Sequence, residues 1–266
     1  MVQLSVDGYW RIPPITRFAV TWTVVVSLGA WIGFIDLGYF VYYTPYVFSF
    51  PPQIWRLVTG FLWASKGLPL IFDTYFLYVW LRALETGHPR LPRRADVIWY
   101  LMFVGATILA LDYFLALAFE YRYIKPLTVA LCYTVTQQQQ GMKGHFVIFE
   151  VPAPLMPYGM IAMNLFYNDM NGLFFDLYGL LAGHLYEFLT KVWPRAGGGF
   201  NPIPTPPIIE SIVQWFDGNG RMNNRSWGTM FSPRADSDSS ATTSGANVGP
   251  LPDSWRTRGA GRRLGS

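Results

Sequence analysis

Acid–base or nucleophilic chemistry in this 266-residue chain has little to work with: three histidines, one cysteine and few serines. A nucleophilic site needs a hydroxyl or thiol within reach of a base. No serine stands between Asp96 and Ser211, and Ser27 lies in an apolar run without a GxSxG-like setting. Cys132 has no histidine near it in sequence and reads as a small buried hydrophobe. His88 sits in a Gly-His-Pro turn, His145 in a loop, and His184 inside an apolar stretch. His184 reads first as a hydrogen-bonded structural histidine. With Ser27 or Cys132 it is the one available dyad for an intramembrane protease. No His/Cys/Asp/Glu cluster has metal-ligand spacing, so neither metal nor cofactor is expected.

Other polar residues stand out because of their surroundings. Asp73, Asp112 and Asp176 fall inside apolar runs. Each would cost about 2.5–3.5 kcal/mol at the middle of a bilayer, so they should face other helices, a water-filled groove or the interface. Trp55-Arg56 is a tryptophan–cation pair in an aromatic loop. It reads either as an ordinary interface anchor or as a wedge whose guanidinium is held by backbone carbonyls or lipid phosphate. Gly179 and Gly183 form a GxxxG pair in Asn171–Lys191, a spacing that lets a neighbouring helix backbone come close.

The elements that must position these residues are membrane helices. The chain is 52% hydrophobic and 18% aromatic but only 14% charged, well below the roughly 25% charge of soluble domains. A mean hydropathy of only +0.23 conceals two unlike parts. Residues 1–193 are apolar and form the expected membrane domain; 194–266, rich in Pro, Gly, Ser, Asn and Arg, form the expected tail. Six spans are expected: Phe18–Ile35, Leu68–Leu84, Ala95–Phe119, Tyr123–Val135, 146–167 and Gly172–Leu189. Several fall short of the ~20 residues that cross a ~30 Å core. The first span is expected to act as an uncleaved anchor.

Charge sets the orientation. With a cytosolic N-terminus, Arg11, Arg17, Arg82, Arg90, Arg93, Arg94 and Lys143 lie on the cytosolic side, against Arg56, Lys66, Arg122 and Lys125 opposite. Six spans return the tail to the cytosol, so the sequon Asn224-Arg225-Ser226 should stay unglycosylated. Within the tail, Pro206–Asp217 has the pattern of an amphipathic helix, to lie on the membrane or dock on the bundle. Residues 218–254 read as disordered linker. Net charge is +4, but no nucleic-acid motif accompanies it, and no nucleic-acid partner is expected.

In order along the chain stand Ile12-Pro13-Pro14-Ile15-Thr16-Arg17, Gln53-Ile54-Trp55-Arg56, Tyr75-Phe76-Leu77-Tyr78, Leu84-Glu85-Thr86-Gly87 and Gly179 to Tyr186. This ordered set resembles the Derlin family, rhomboid-like pseudoproteases of endoplasmic-reticulum-associated degradation. The resemblance implies an all-α, six-transmembrane-helix rhomboid-like bundle with a disordered cytosolic tail, in the endoplasmic reticulum membrane, both termini cytosolic. It implies that Trp55 and Arg56 are the family's WR motif in the first luminal loop, and Gly179 and Gly183 its last-helix GxxxG. Rhomboid proteases carry a serine in span four, which is missing here, and their histidine precedes the first glycine, whereas His184 follows the second. Near the end, Gly259, Gly261, Arg262, Arg263 and Leu264 resemble an SHP box, which binds a valosin-containing-protein-type AAA+ ATPase. Gln137–Gln140 and Leu155-Met156-Pro157-Tyr158 depart from the family pattern.

The function so implied is retrotranslocation of misfolded luminal and membrane proteins to the cytosol, through a membrane-thinning lateral groove and ATPase recruitment. Its implied partners are misfolded clients, the ATPase, a membrane ubiquitin ligase complex and membrane lipid, with homo- or hetero-oligomers left open. The competing readings are an active intramembrane serine or cysteine protease and a lipid transporter or scramblase.

Overall fold

The computed structural model describes residues 6–47, 50–115, 122–139, 141, 143–146, 149–166, 170–199 and 202–221. The chain divides into a compact unit, Met1–Met222, and a second, Asn223–Ser266. Asn224 and the SHP-like residues Gly259, Gly261, Arg262, Arg263 and Leu264 lie outside the described residues.

A short helix α1 (Val6–Trp10) leads into α2 (Pro14–Ile32). Pro14 occupies the first turn, where its missing N–H is no loss. The next amides are satisfied from another element: Glu85 accepts from Ile15 N at 3.1 Å, Thr16 N at 2.9 Å and Thr16 Oγ1 at 2.8 Å. A carboxylate at a helix N-terminus satisfies orphan donors and meets the positive end of the dipole. α2 stops at Gly33, whose φ of 83° is the left-handed conformation that closes a helix. Its buried face, Thr16, Ala19, Thr23, Val26 and Ser27, is built of small residues at helical spacing and lies on α5 (Leu68–Gly87).

Between α2 and α5 the chain makes two short helices, α3 (Thr44–Val47) and α4 (Arg56–Thr59). This segment is stitched back to α2, since Ala64 N donates to Ser27 Oγ at 2.9 Å. α5 buries Asp73, Phe76, Leu77, Trp80, Leu81 and Leu84, one stripe at three- and four-residue spacing. α6 (Arg94–Leu115) buries Ala95, Val97, Tyr100, Val104, Gly105 and Ile108.

The centre of the bundle is α7 (Ile124–Thr136), all 13 of whose residues are buried. At 1.5 Å per residue it is about 20 Å long. Its polar groups are paired within the protein: Tyr100 donates to Ala130 O at 3.1 Å and pairs with Thr134 Oγ1 at 2.8 Å. A hairpin of β1 (Lys143–Phe146) and β2 (Phe149–Pro152) follows, with Lys143 opposite Pro152. Then come α8 (Met156–Phe166), α9 (Met170–Glu187), two π turns ending at Gly199, and α10 (Pro207–Arg221).

Among the described residues a helix lies in each of the six segments expected to span, and in the fifth it is shorter than expected. The one described strand pair, β1 with β2, is an accessory to the helical bundle and takes the first part of the segment expected to form span five. The helix there starts only at Met156, because Pro152 and Pro154 lack the amides a longer helix needs. α2 and α6 are the described helices long and apolar enough to cross a membrane by length and composition.

Candidate functional site

Arg56 opens α4 and is 4% exposed. A cation there must be fully paired. Its Nη1 donates to Gly38 O and Val41 O, each at 2.6 Å, its Nε donates to Gln53 Oε1, and its guanidinium lies 5.0 Å from the Tyr46 ring centre. Neighbouring bonds extend the clamp: Trp55 Nε1 donates to Tyr39 O at 3.3 Å and Thr59 Oγ1 to Phe40 O at 3.0 Å. Together these bonds, with the Arg56 cation at their centre, join the described residues of the Gly38–Thr59 segment into a single body. Trp55 itself is half exposed, its ring edge tied to that body.

The glycine pair sits where α9 meets α7, the most extensive contact between elements of the bundle. A Cβ added at Gly179 would come within 2.7 Å of Pro126 Cα, 2.6 Å of its carbonyl carbon and closer still to its oxygen. At Gly183 the nearest atoms, Ala130 O and Tyr133 Cδ1, would be 3.2 Å away. Gly179 thus marks the point where the two backbones touch.

A partly open cavity of about 30 Å³ lies among α5, α7, α8 and α9. It is large enough for a water. Asp73 from α5, Lys125 and Thr128 from α7 and Asp176 from α9 line it, against Phe72, Phe76, Met160 and Met163. Asp73, Lys125 and Asp176 are all buried. The positive charges of Lys125 and Arg122 act on Asp73, while Asp73 Oδ2 makes no hydrogen bond among the described residues. The cavity lining is amphipathic: two carboxylates, an ammonium and a hydroxyl together with methionine and phenylalanine side chains.

Two of the three carboxylates picked out by sequence meet here. The third does not: Asp112 Oδ2 accepts the Tyr123 hydroxyl at 2.6 Å. His184 is also elsewhere, on an exposed face of α9, its Nδ1 2.7 Å from the Tyr133 hydroxyl. The Ser27 hydroxyl accepts from Ala64, and Cys132 is fully buried in α7. Among the described residues no group of three His, Cys, Asp or Glu side chains could hold a metal.

Sequence reasoning missed Lys125 and Thr128 as cavity residues, and it missed Glu187. Glu187, nearly buried, receives Arg90 Nη1 at 2.8 Å and ties the α5–α6 turn to the end of α9. His88 lies buried beside this pair. Burial lowers its pKa from the usual histidine value, Glu187 opposes that shift and Arg90 adds to it. The available signal was a charge at each edge of an apolar run, which reads equally well as an interface anchor.

The sequence model described as the Der1-like family matches residues 12–207. Derlin-2.1 of Zea mays is 30% identical over 223 residues, covering 80% of this chain and 87% of that protein. Derlin-1 of Bos taurus is 31% identical over 212 residues, 76% of this chain and 80% of the relative. The probable derlin-2 homolog of Dictyostelium discoideum is 28% identical over 219 residues, 80% and 84% of the two chains. The matched span takes in the Arg56 clamp, the cavity and the glycine pair.

Proposed function

Because this chain belongs to the Der1-like family, we propose that it acts in endoplasmic-reticulum-associated degradation, helping misfolded proteins leave the membrane for the cytosol. The observation that carries the mechanism is the amphipathic cavity between α5, α7, α8 and α9. Buried charge is costly unless it is paired and hydrogen-bonded, and Asp73 Oδ2 faces the cavity without a hydrogen bond among the described residues, free to take one from a client. Asp73, Asp176, Lys125 and Thr128 would exchange hydrogen bonds with polar groups of a client, while Met160, Met163, Phe72 and Phe76 accept its apolar side chains. Met side chains suit such work, since they repack around varied partners.

In this reading six helices cross the membrane with both termini cytosolic. The central helix α7, about 20 Å long, falls about 10 Å short of a ~30 Å hydrocarbon core. Enclosed in the bundle, α7 does not itself touch lipid; thinning would be set where the short wall helix α8, 11 residues long and exposed at Tyr158, meets the bilayer, at fractions of a kcal/mol per ångström of mismatch. A thinner bilayer lowers the cost of moving polar chain across, because that cost falls toward the interfaces. Trp55 would anchor the Arg56-clamped loop at the luminal surface. The tail residues Gly259 to Leu264 would recruit the AAA+ ATPase that supplies force, and a membrane ubiquitin ligase would mark the client.

The protein is a pseudoenzyme in this account. Ser27, Cys132 and His184 are held in three separate settings, each engaged in packing or hydrogen bonding rather than with one another.

Asp73→Asn keeps the shape of the side chain and removes its charge. The expected result is a client half-life prolonged severalfold, with the variant inserted and accumulating like the wild type, in a pulse-chase of a misfolded membrane client. Asp73→Leu should act in the same direction and more strongly. Normal clearance by both variants at wild-type abundance would sink the proposal.

A further inference from the structure

Helix α10 has three sectors rather than the two of an ordinary amphipathic helix. At about 100° per residue, Ile209 and Val213 share one edge, Ile208, Ile212, Trp215 and Phe216 the next, and Ser211 and Gln214 the third. The first edge meets α6: Ile209 is buried there, Arg93 Nη1 pairs with Glu210 Oε1, and Thr205 Oγ1 donates to Asp96 Oδ1 at 2.7 Å. The second edge is exposed along its whole length, from 51% at Ile212 to 69% at Ile208. Trp215 and Phe216 stand edge to face within it, ring centres 5.0 Å apart.

Where this edge sits is fixed by its anchor. Arg93 and Asp96 flank the first turn of α6, one of the two described helices able to cross a membrane. The first turn of a spanning helix lies where hydrocarbon gives way to headgroups. α10, tied to that turn by an ion pair, a hydrogen bond and a buried isoleucine, is held at the same depth. Large apolar and aromatic side chains at that depth are what an interfacial helix presents to lipid. The charge agrees. Arg93 stays largely exposed beside its acid partner, and Lys191 and Arg195 follow α9 at the end joined to the α5–α6 turn by Arg90 and Glu187. Cations gathered there complement an anionic leaflet.

We propose that α10 is an interfacial helix whose Ile208–Ile212–Trp215–Phe216 edge lies in the headgroup–acyl boundary of an anionic leaflet. The helix is then a float fixed to α6. It couples the height of the membrane surface to the bundle.

Cys132 is the one cysteine of the chain and is fully buried, so introduced cysteines can be labelled selectively. Ile212→Cys and Trp215→Cys on the exposed edge, and Ser211→Cys and Gln214→Cys on the polar one, are labelled with an environment-sensitive fluorophore. The proteins go into nanodiscs of phosphatidylcholine and phosphatidylserine holding one copy each, with and without lipid carrying a nitroxide near the headgroup. The expected result is blue-shifted emission at 212 and 215, quenched severalfold more than at 211 and 214. Ile208→Cys, on the same edge, should behave like 212. Emission at 212 and 215 as water-like as at 211 and 214 would overturn the proposal. So would shielding that appears only in discs with two copies, which would assign the edge to a second copy of the chain.

Discussion

Gly179→Ala is expected to leave almost no folded protein, whereas Gly183→Ala should fold close to normally. The chemical change is one methyl group in both. At Gly179 that methyl would overlap the backbone of Pro126, closer to its oxygen than to the carbonyl carbon at 2.6 Å. Backbone cannot rotate away as a side chain can, so α7 and α9 would have to separate. α7 is buried along its entire length, and every helix packed on it would have to follow. Overpacking a core costs about 1–3 kcal/mol where side chains can adjust, and more where they cannot. A loss of roughly 3 kcal/mol or more takes a large part of the stability of a typical domain. At Gly183 the contacts begin at 3.2 Å, and one of the two nearest atoms belongs to the Tyr133 ring. Alanine also gains about 0.8–1.0 kcal/mol of helix propensity over glycine, which offsets a mild squeeze. Thermal unfolding in detergent, with yield of monodisperse protein, separates the two. Equal behaviour of the variants would show that α7 and α9 do not meet at Gly179.

Arg56→Ala should release the segment from Gly38 to Thr59 while the helical bundle stays folded. The substitution strands two carbonyls and Gln53 that now share one buried cation. Hydrogen bonds to a charged group are worth about 1.5–3 kcal/mol each, and removing the hub of such a set costs on the order of 3–5 kcal/mol. Arg56→Lys should recover only part of this. An ammonium can reach a carbonyl, but it has no planar fork to serve Gly38 and Val41 while also meeting Gln53 and lying on Tyr46. Hydrogen exchange over residues 37–60 should rise by orders of magnitude in the alanine variant, by less in the lysine variant, and little in α7. Unchanged protection of that segment would remove Arg56 from its place as the clamp.

How much of this was legible depends on what each signal encodes. GxxxG places Gly179 and Gly183 on one face because four residues make slightly more than one helical turn. It did not reveal the facing helix, since partner choice depends on folding the whole bundle. For Arg56 the sequence allowed carbonyls or phosphate. The carbonyls lie 18 and 15 residues upstream in an irregular loop, and no periodicity marks such a pairing. Lys125 stood at the edge of an apolar run, the position of an ordinary anchor, and became a cavity residue only because α7 is enclosed on every side. Asp112, Asp73 and Asp176 read alike in sequence, as carboxylates in apolar runs. α6 is apolar all round, so its sequence does not say which face turns inward. The hairpin has no clear sequence signal, because two four-residue strands, the second ending at Pro152, give too short an alternation to register.

The central claim is that clients enter between α5 and α8, where the water-sized cavity widens to receive them. A photo-crosslinking amino acid at Phe72, Met160 or Met163 lies in that cavity, and one at Val25 or Met102 lies on exposed faces of α2 and α6. A misfolded client stalled by a bulky cytosolic domain is then irradiated in intact membranes. The account predicts client adducts from 72, 160 and 163 and almost none from 25 and 102. Adducts confined to 25 and 102, or spread evenly over all five positions, would contradict it.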